Sequence, residues 1–202
     1  AALVVAPILE AAGVLHVTPQ LVVMPDTAAL GEYRAEFAGM LGMIEERPDE
    51  AEGALAGFHG AELVTGSDRL LERINESHTH RVDARACLLG RLIDLFLGDW
   101  DRHRDQWRWA RFPGADSSWK PIPRDRDQAL SSYDGLLLRI ASYSLPQFVT
   151  FEAEYPDATR LHWNARELDR RILTVLPRSV WDSTATALQA RLTDAVLRDA
   201  LG

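Results

Sequence analysis

The longest regular apolar pattern in the chain, over residues 82–96, constrains its fold more than any other feature. Apolar side chains recur there at helical spacing, and further leucines widen the stripe. The stripe consists of Val82, Ala86, Leu88, Leu89, Leu92, Ile93, Leu95 and Phe96. A helix this apolar must be largely buried, so other elements have to cover it. Gly98 follows its last turn, and glycine is common at helix ends.

The composition is that of an ordinary globular protein. Of the 202 residues, 47% are hydrophobic and 26% are charged, which is enough for one good core or two small lobes. The apolar runs are too short to span a bilayer, and no basic segment precedes one as in a signal peptide. The net charge of −8 argues against a nucleic-acid partner, because non-specific binding depends on neutralising phosphates.

The remaining patterns predict an α+β fold that is mainly α-helical. Apolar periodicity and end signals predict helices over 1–12, 30–44, 67–74, 136–140, 165–173 and 180–201. Short strands are predicted over 14–17 and 20–24, as a hairpin, and over 106–112 and 119–123, on either side of a turn. The acidic, glycine-containing segment 45–60 is predicted to be a surface connection.

Ionisable residues crowd into the segment directly after the apolar helix, Gly98-Asp99-Trp100-Asp101-Arg102-His103-Arg104-Asp105-Gln106. The predicted hairpin then returns the chain to a second such run, Arg124-Asp125-Arg126-Asp127. Phosphoryl transfer requires one carboxylate that accepts or orients the proton of the attacking hydroxyl, and oxygen ligands that hold magnesium. Two adjacent loops of this composition can supply all of them.

The segment resembles the catalytic loop of the atypical kinase-like families: the phosphoinositide kinases, the HipA-type kinases, the secretory-pathway kinases and the spore-coat CotH kinases. These families carry a Gly-x-x-Asp-Arg-His-x-x-Asn loop, or a variant of it, after a buried helix. Gly98, Asp101, Arg102 and His103 match this pattern, and Gln106 stands where Asn is usual. The resemblance covers roughly residues 82–130.

This resemblance implies a phosphotransferase domain that uses ATP and Mg, with an unknown acceptor. It makes Asp101 the catalytic aspartate, with Arg102 and His103 beside it either in catalysis or as braces of the loop. A kinase-like C-lobe, with a catalytic loop and a β-hairpin, is the fold that it implies for most of the chain.

The metal ligands that the resemblance implies come from both loops. Gln106 becomes the side-chain amide ligand of the metal. The Asp-x-Asp run is similar to one that CotH-type proteins place after the hairpin, which makes Asp125 the principal metal carboxylate and Asp127 a second ligand or its support.

A domain organisation follows from the same resemblance. Residues 27–202 are expected to form a C-lobe-like helical domain, and residues 1–26 a remnant of the N-lobe with a short helix and two strands. Met24 and Asp26 are then expected at the hinge, where they contact the nucleotide.

The elements that anchor nucleotide phosphates in kinase-like folds are missing from the sequence. No glycine-rich loop precedes the motif, and the only lysine is Lys120. Together with a start at Ala1, this predicts a fragment of a longer polypeptide, whose other domains are further partners, with little activity by itself. The preference for arginine over lysine is typical of a GC-rich bacterial source.

Simpler interpretations stay open for the individual residues. Asp101 could form a surface salt bridge, the alternating charges of 124–127 could be a solvated loop, and Asp99 is a rival base. His78 and His80 could bind a metal or be structural. The tryptophans close to the motif, Trp100, Trp107, Trp109 and Trp119, could pack in the core or form a stacking surface.

Two other functions compete with the kinase. The first is a non-catalytic relative that keeps the fold as a binding module of a larger bacterial protein. The second is a metal-dependent phosphoester hydrolase that places the same acids around its metal.

Overall fold

In the residues that the structure describes, the protein is an α+β fold with two small antiparallel sheets. The computed structural model describes residues 1–50, 56–114, 116–133, 135, 144–155 and 157–202. The helices in these ranges are α1 (Ala2–Ala12), α2 (Arg34–Phe37), α3 (Ser67–Glu76), α4 (Ala84–Phe96), α5 (Arg166–Ile172), α6 (Arg178–Arg191) and α7 (Asp194–Leu201). The strands are β1 (Gln20–Val23), β2 (Leu41–Ile44), β3 (Leu63–Gly66), β4 (Trp107–Arg111) and β5 (Lys120–Pro123). The predicted α+β class, mainly helical, is confirmed, and its kinase-like character stays a prediction.

Helix α4 is the apolar helix that the sequence predicts, and it packs on two sides. Its first turn is capped by Asp83, whose side chain accepts a hydrogen bond of 2.9 Å from the backbone N–H of Ala86. Ile93 faces one core cluster, and Leu88 faces another. The stripe is wide because the helix separates these two clusters. Phe96 belongs to the predicted buried stripe, but it is 42% exposed because it lies in the last turn, where the chain leaves the core.

One core cluster joins the first helix to the last. It contains Val5, Ile8, Leu9, Ala12, Val14, Ile93, Leu97, Ala129, Leu188 and Ala200. Helix α1 ends as predicted at Gly13, whose φ of 76° is the left-handed conformation of a helix C-cap. Arg191 Nη1 donates a hydrogen bond of 2.6 Å to the Ala12 carbonyl, so the end of α6 also closes the end of α1. The N-terminal helix thus packs in the same core as the C-terminal helices.

The three-stranded sheet, in the order β3-β4-β5, carries the predicted tryptophan pair. Trp107 and Trp109 lie on one face, with ring centroids 5.9 Å apart and planes 23° apart. They pack with α3, α4 and α5 in the second cluster. Ala110 and Ile122 point to the other face, where Phe58 covers them. Both predicted strands of this hairpin are therefore confirmed.

The N-terminal part of the sheet prediction is wrong. Residues 14–17 are not a strand, because they complete the end of α1: Val14 N–H donates to Leu9 O at 3.0 Å, and His16 Nδ1 lies 2.8 Å from Val14 O. Strand β1 pairs instead with β2, in the antiparallel register Gln20↔Ile44 to Val23↔Leu41.

Strand β2 occupies the end of the predicted helix 30–44. The helical part is limited to a 3₁₀ segment, Ala28–Tyr33, and to α2. Gly39, with φ of 77°, turns the chain, and the backbone pairing with β1 replaces the helix that the apolar spacing predicted.

The remaining elements agree with the prediction in part. The predicted helix 165–173 is α5, whereas 180–201 is divided into α6 and α7 near Leu192. Thr193 caps α7 and so separates the two. The predicted surface connection 45–60 buries Pro48 and Phe58, and its residues 51–55, like the predicted helix 136–140, lie outside the described residues. Every helix in the described ranges is too short or too polar to span a lipid bilayer.

The packing of α4 can be tested by two substitutions on the same helix. We expect Ile93→Ala to lower the free energy of unfolding by about 2–5 kcal/mol, because Ile93 is fully buried and its truncation leaves a cavity. Phe96→Ala, at an exposed position, should change it by less than about 1 kcal/mol. Urea unfolding followed by circular dichroism measures both, and equal losses would contradict this placement of α4.

Candidate functional site

A buried network of ion pairs lies beneath the motif. Asp94, on α4, is 0% exposed and accepts from Arg91 Nη1 at 2.6 Å and from Arg126, while Arg102 Nε lies 3.3 Å away. Asp99 also faces Arg126 Nη1, at 2.9 Å, and Arg102 Nη1, at 3.7 Å. Carboxylates and guanidiniums therefore neutralise one another in a site closed to water.

The arginines determine the ionisation of Asp94. Burial by itself raises the pKa of Asp94, but the charges of Arg126, Arg102 and Arg91 outweigh it and lower the pKa to about 2. Burial raises the pKa of Asp99; Arg102 and Arg126 oppose this only in part, and the charge of Asp94 adds to it. The rival base Asp99 is thus 1% exposed inside this network, where no substrate can reach it.

Arg102 connects this network to both loops of the motif. It is fully buried and donates from Nη1 to the carbonyl of Arg124 at 2.6 Å and to that of Asp125 at 3.3 Å. Its Nη2 donates to the carbonyl of Gln106 at 3.2 Å, and its guanidinium stacks on Trp107, 4.9 Å from the ring centroid. Arg102 is therefore a positioning residue, because it holds two backbone segments together and cannot touch a substrate.

Asp101 is the accessible carboxylate of the loop. Its side chain is 26% exposed, and its Oδ1 accepts a hydrogen bond of 3.0 Å from Asn164 Nδ2. His103 Nε2 lies 3.8 Å from the same oxygen. Asn164 belongs to the turn before α5, and the sequence pattern gave no sign of its role because it lies far along the chain from the loop.

Gly98 is required where the buried helix gives way to the loop. Its φ of 65° is left-handed, and a Cβ at this position would lie 2.6 Å from the Tyr155 hydroxyl. No residue with a side chain fits without displacing Tyr155. The glycine of the motif thus has a structural reason that is independent of any family resemblance.

The structure brings Gln106 and Asp125 to neighbouring backbone positions. Arg124 N–H donates to Gln106 O at 2.9 Å, which continues the register Trp107↔Pro123 of the hairpin by one residue. Asp125 is exposed, and its carboxylate has no hydrogen bond or ion pair with a described residue. The amide of Gln106 contacts His103 at one end, 3.3 Å from Nε2, which leaves its other end open.

Asp127 and the predicted hinge residues lie in different surroundings. Asp127 is exposed and accepts a hydrogen bond of 2.9 Å from Gln128 Nε2. Met24 and Asp26 follow β1, where Met24 N–H donates to Met40 O at 2.8 Å and Asp26 pairs with Arg34. A groove beside Asp125 is lined by Glu45, which follows β2, and by His16. The roles predicted for Asp127, Met24 and Asp26 stay predictions.

The simpler interpretations hold for several other residues. His80 Nδ1 lies 3.4 Å from the indole nitrogen of Trp119, so this histidine has a structural partner. Trp107, Trp109 and Trp119 are at most 2% exposed, which confirms their packing in the core. Among the described residues, no three His, Cys, Asp or Glu side chains are close enough to share a metal ion.

A scan against family models and searches of curated proteins and of solved structures found no match to the chain. The assignment of a function therefore depends on the geometry of the loops.

The ionic network can be tested by removing its central charge. We expect Asp94→Asn to lower the free energy of unfolding by about 3–5 kcal/mol, because it leaves three buried guanidiniums facing fewer carboxylates. Asp105→Asn, at a side chain that is 79% exposed, removes the same charge nearby and should change it by less than about 0.5 kcal/mol. Urea unfolding at pH 7 compares the two variants, and similar losses would contradict the buried network.

The carboxylate of Asp94 should also make the free energy of unfolding depend on pH in acid. Since the folded pKa of Asp94 is about 2, below the usual value of about 3.9, ionised Asp94 stabilises the fold above pH ~4. This contribution is lost as the pH falls through about 2. Unfolding free energies measured between pH 5 and pH 2, values chosen to bracket this window, should therefore fall more steeply for the wild type than for Asp94→Asn. Parallel curves would show that another group dominates.

Proposed function

We propose that the chain is a kinase-like phosphotransferase domain that uses ATP and Mg. The observation that supports this most is the contact of one buried guanidinium, Arg102, with the carbonyls of Gln106, Arg124 and Asp125. It fixes the loop that follows α4 against the segment that follows β5. An acid for the acceptor and oxygen ligands for a metal then come from two adjacent loops, as phosphoryl transfer requires.

Asp101 is the group that would take up or orient the proton of the acceptor hydroxyl. It is partly exposed, so an acceptor can reach it, and the hydrogen bond from Asn164 fixes the direction of its carboxylate. His103 Nε2 lies 3.8 Å from the same oxygen. These neighbours position Asp101 without neutralising it, because Asn164 carries no charge and His103 lies beyond hydrogen-bond distance.

Gln106 and Asp125 fit a magnesium ion by the chemistry of their donors. Magnesium prefers oxygen ligands and is usually bound by one or two protein side chains together with waters and substrate phosphates. An exposed carboxylate without a partner, next to an amide with one open end, meets that requirement. When bound, the ion would supply positive charge for the phosphate oxygens.

A binding module without catalysis is the second candidate, and the position of the single lysine favours it. Lys120 begins β5, at the end of the strand opposite to Asp125, and its Nζ lies 3.9 Å from Asp116 in the turn. It is therefore not placed at the loops, where a kinase-like site needs a cation for the nucleotide phosphates.

Calorimetry of the 202-residue chain with ATP, with and without magnesium, tests the proposal. We expect binding that depends on magnesium and that Asp125→Asn weakens at least about 10-fold, because a metal ligand is lost. Asp116→Asn removes the same charge at the far end of the hairpin and should leave the affinity within about twofold. Absence of ATP binding by the wild type, or equal binding by wild type and Asp125→Asn, would contradict the proposal.

Asp101→Asn separates catalysis from binding. The ATP turnover of the wild-type chain is itself expected to be low. We expect this variant to bind Mg·ATP like the wild type but to turn over ATP at least about 100-fold more slowly, because the base is gone. Turnover is measured as release of labelled phosphate or ADP. Binding without turnover in the wild type would favour the binding module. Phosphate release from a simple monoester without ATP would favour the hydrolase.

A further inference from the structure

One face of the three-stranded sheet presents two arginines beside the loops. Arg108 lies directly opposite Ile122 on β5 and Gly66 on β3, and directly opposite residues of an antiparallel sheet share a face. The backbone pair of Gln106 with Arg124 continues the same register. Arg108 and Arg124 therefore project from the face opposite to the tryptophans. A Cβ on Gly66 would lie 3.6 Å from Arg108 Nη1, so this guanidinium lies over the glycine.

A third arginine is held over the same face by the segment after β2. Pro48 is buried, and the carbonyl of Asp49 accepts a hydrogen bond of 2.9 Å from Phe58 N–H. Phe58 in turn packs against Ala110 and Ile122 on this face. Arg47, directly before Pro48, is thereby kept near Arg108.

The guanidiniums of Arg47 and Arg124 are close enough to that of Arg108 to act on it. Burial lowers the pKa of Arg108, and the positive charges of Arg47 and Arg124 lower it further, while Asp49 opposes them. None of the three side chains forms an ion pair or a hydrogen bond with a described residue. In a chain with 30 acidic residues against 22 basic ones, three neighbouring arginines that form no ion pair with a described carboxylate give this face a local positive charge that attracts anions.

We propose that Arg47, Arg108 and Arg124 bind the phosphate groups of a polyphosphate ligand beside Gln106 and Asp125. Guanidinium groups suit phosphate because they donate two parallel hydrogen bonds to its oxygens. They would supply the cation that Lys120 cannot supply from the far end of β5. The anion site depends on the register of the three-stranded sheet and on the segment after β2 that carries Arg47. Its assignment to a nucleoside triphosphate rests on the proposed function.

Titration calorimetry of the chain with inorganic tripolyphosphate, without magnesium and at low salt, tests the site directly. We expect Arg108→Gln and Arg124→Gln each to weaken binding about 10-fold or more, because each loses a charge-assisted hydrogen bond. Arg170→Gln removes an equal charge from an exposed position on α5 and should stay within about twofold. No binding by the wild type, or the same loss in Arg170→Gln as in Arg108→Gln, would overturn the proposal.

A further variant keeps the test independent of folding. Arg47 is exposed, so Arg47→Gln cannot disturb the core, and it should also weaken tripolyphosphate binding by about 5–10-fold. If circular dichroism shows that Arg108→Gln is unfolded, Arg47→Gln decides in its place, and unchanged binding by Arg47→Gln would overturn the three-arginine site.

Failure of the metal site and failure of the anion site give different results. Asp125→Asn should leave magnesium-free tripolyphosphate binding equal or slightly stronger, because a nearby negative charge is removed. A loss of tripolyphosphate binding in this variant would overturn the assignment of the metal to Asp125 and of the phosphates to the three arginines. A comparison of ATP with tripolyphosphate identifies the source of the phosphates: tighter binding of ATP supports a nucleotide, and equal affinity supports polyphosphate alone and overturns the assignment to a nucleotide.

Discussion

The ionised carboxylate of Asp94 is the interaction on which the rest of the structure depends. It is fully buried, so it stays charged only because guanidiniums surround it. Its partners come from α4 itself, from the loop after α4 and from the segment after β5, and Arg91 extends the network to Asp169 on α5 through an ion pair of 2.9 Å. One buried charge thus fixes the relative positions of four separate parts of the chain.

This network holds the two loops together by hydrogen bonds to their backbone, as a ladder of backbone hydrogen bonds holds the strands of a sheet together. Residues 98–106 and 124–130 contain little regular structure, and Asp125 and Leu130 even adopt positive φ. Their backbone carbonyls still need donors, and Arg102 supplies several of them at once. An apolar side chain of similar size at position 102 could fill the space but could not satisfy those carbonyls. The irregular backbone that carries Asp101 and Asp125 is therefore held by a side chain that no ligand touches.

Local sequence patterns predict those helices, helix ends and hairpins whose signals lie within one short segment of the chain. The stripe of α4, the Gly13 end of α1 and the tryptophan hairpin were predicted because their signals lie within a few neighbouring residues. Strand β2 was missed because its apolar residues continue a helical spacing, and only pairing with β1 reveals it. The sequence indicates where the motif loops lie in the chain. It does not indicate that Asn164 bonds to Asp101 of the loop or that Asp169 bonds to Arg91 of α4, since long-range hydrogen bonds leave no periodic trace.

The ribbon of β1 and β2 has a consequence for ligand recognition. Leu21, Val23, Leu41 and Ile44 are each more than half exposed, so little apolar burial holds the ribbon, and two strands alone are only marginally stable. Its amide protons should therefore exchange through local opening well before those of α4. Arg47 follows β2 after only two residues, so an anion held by this arginine would also slow the opening of the ribbon. Hydrogen exchange at the ribbon would then report occupancy of a site that the ribbon itself does not form.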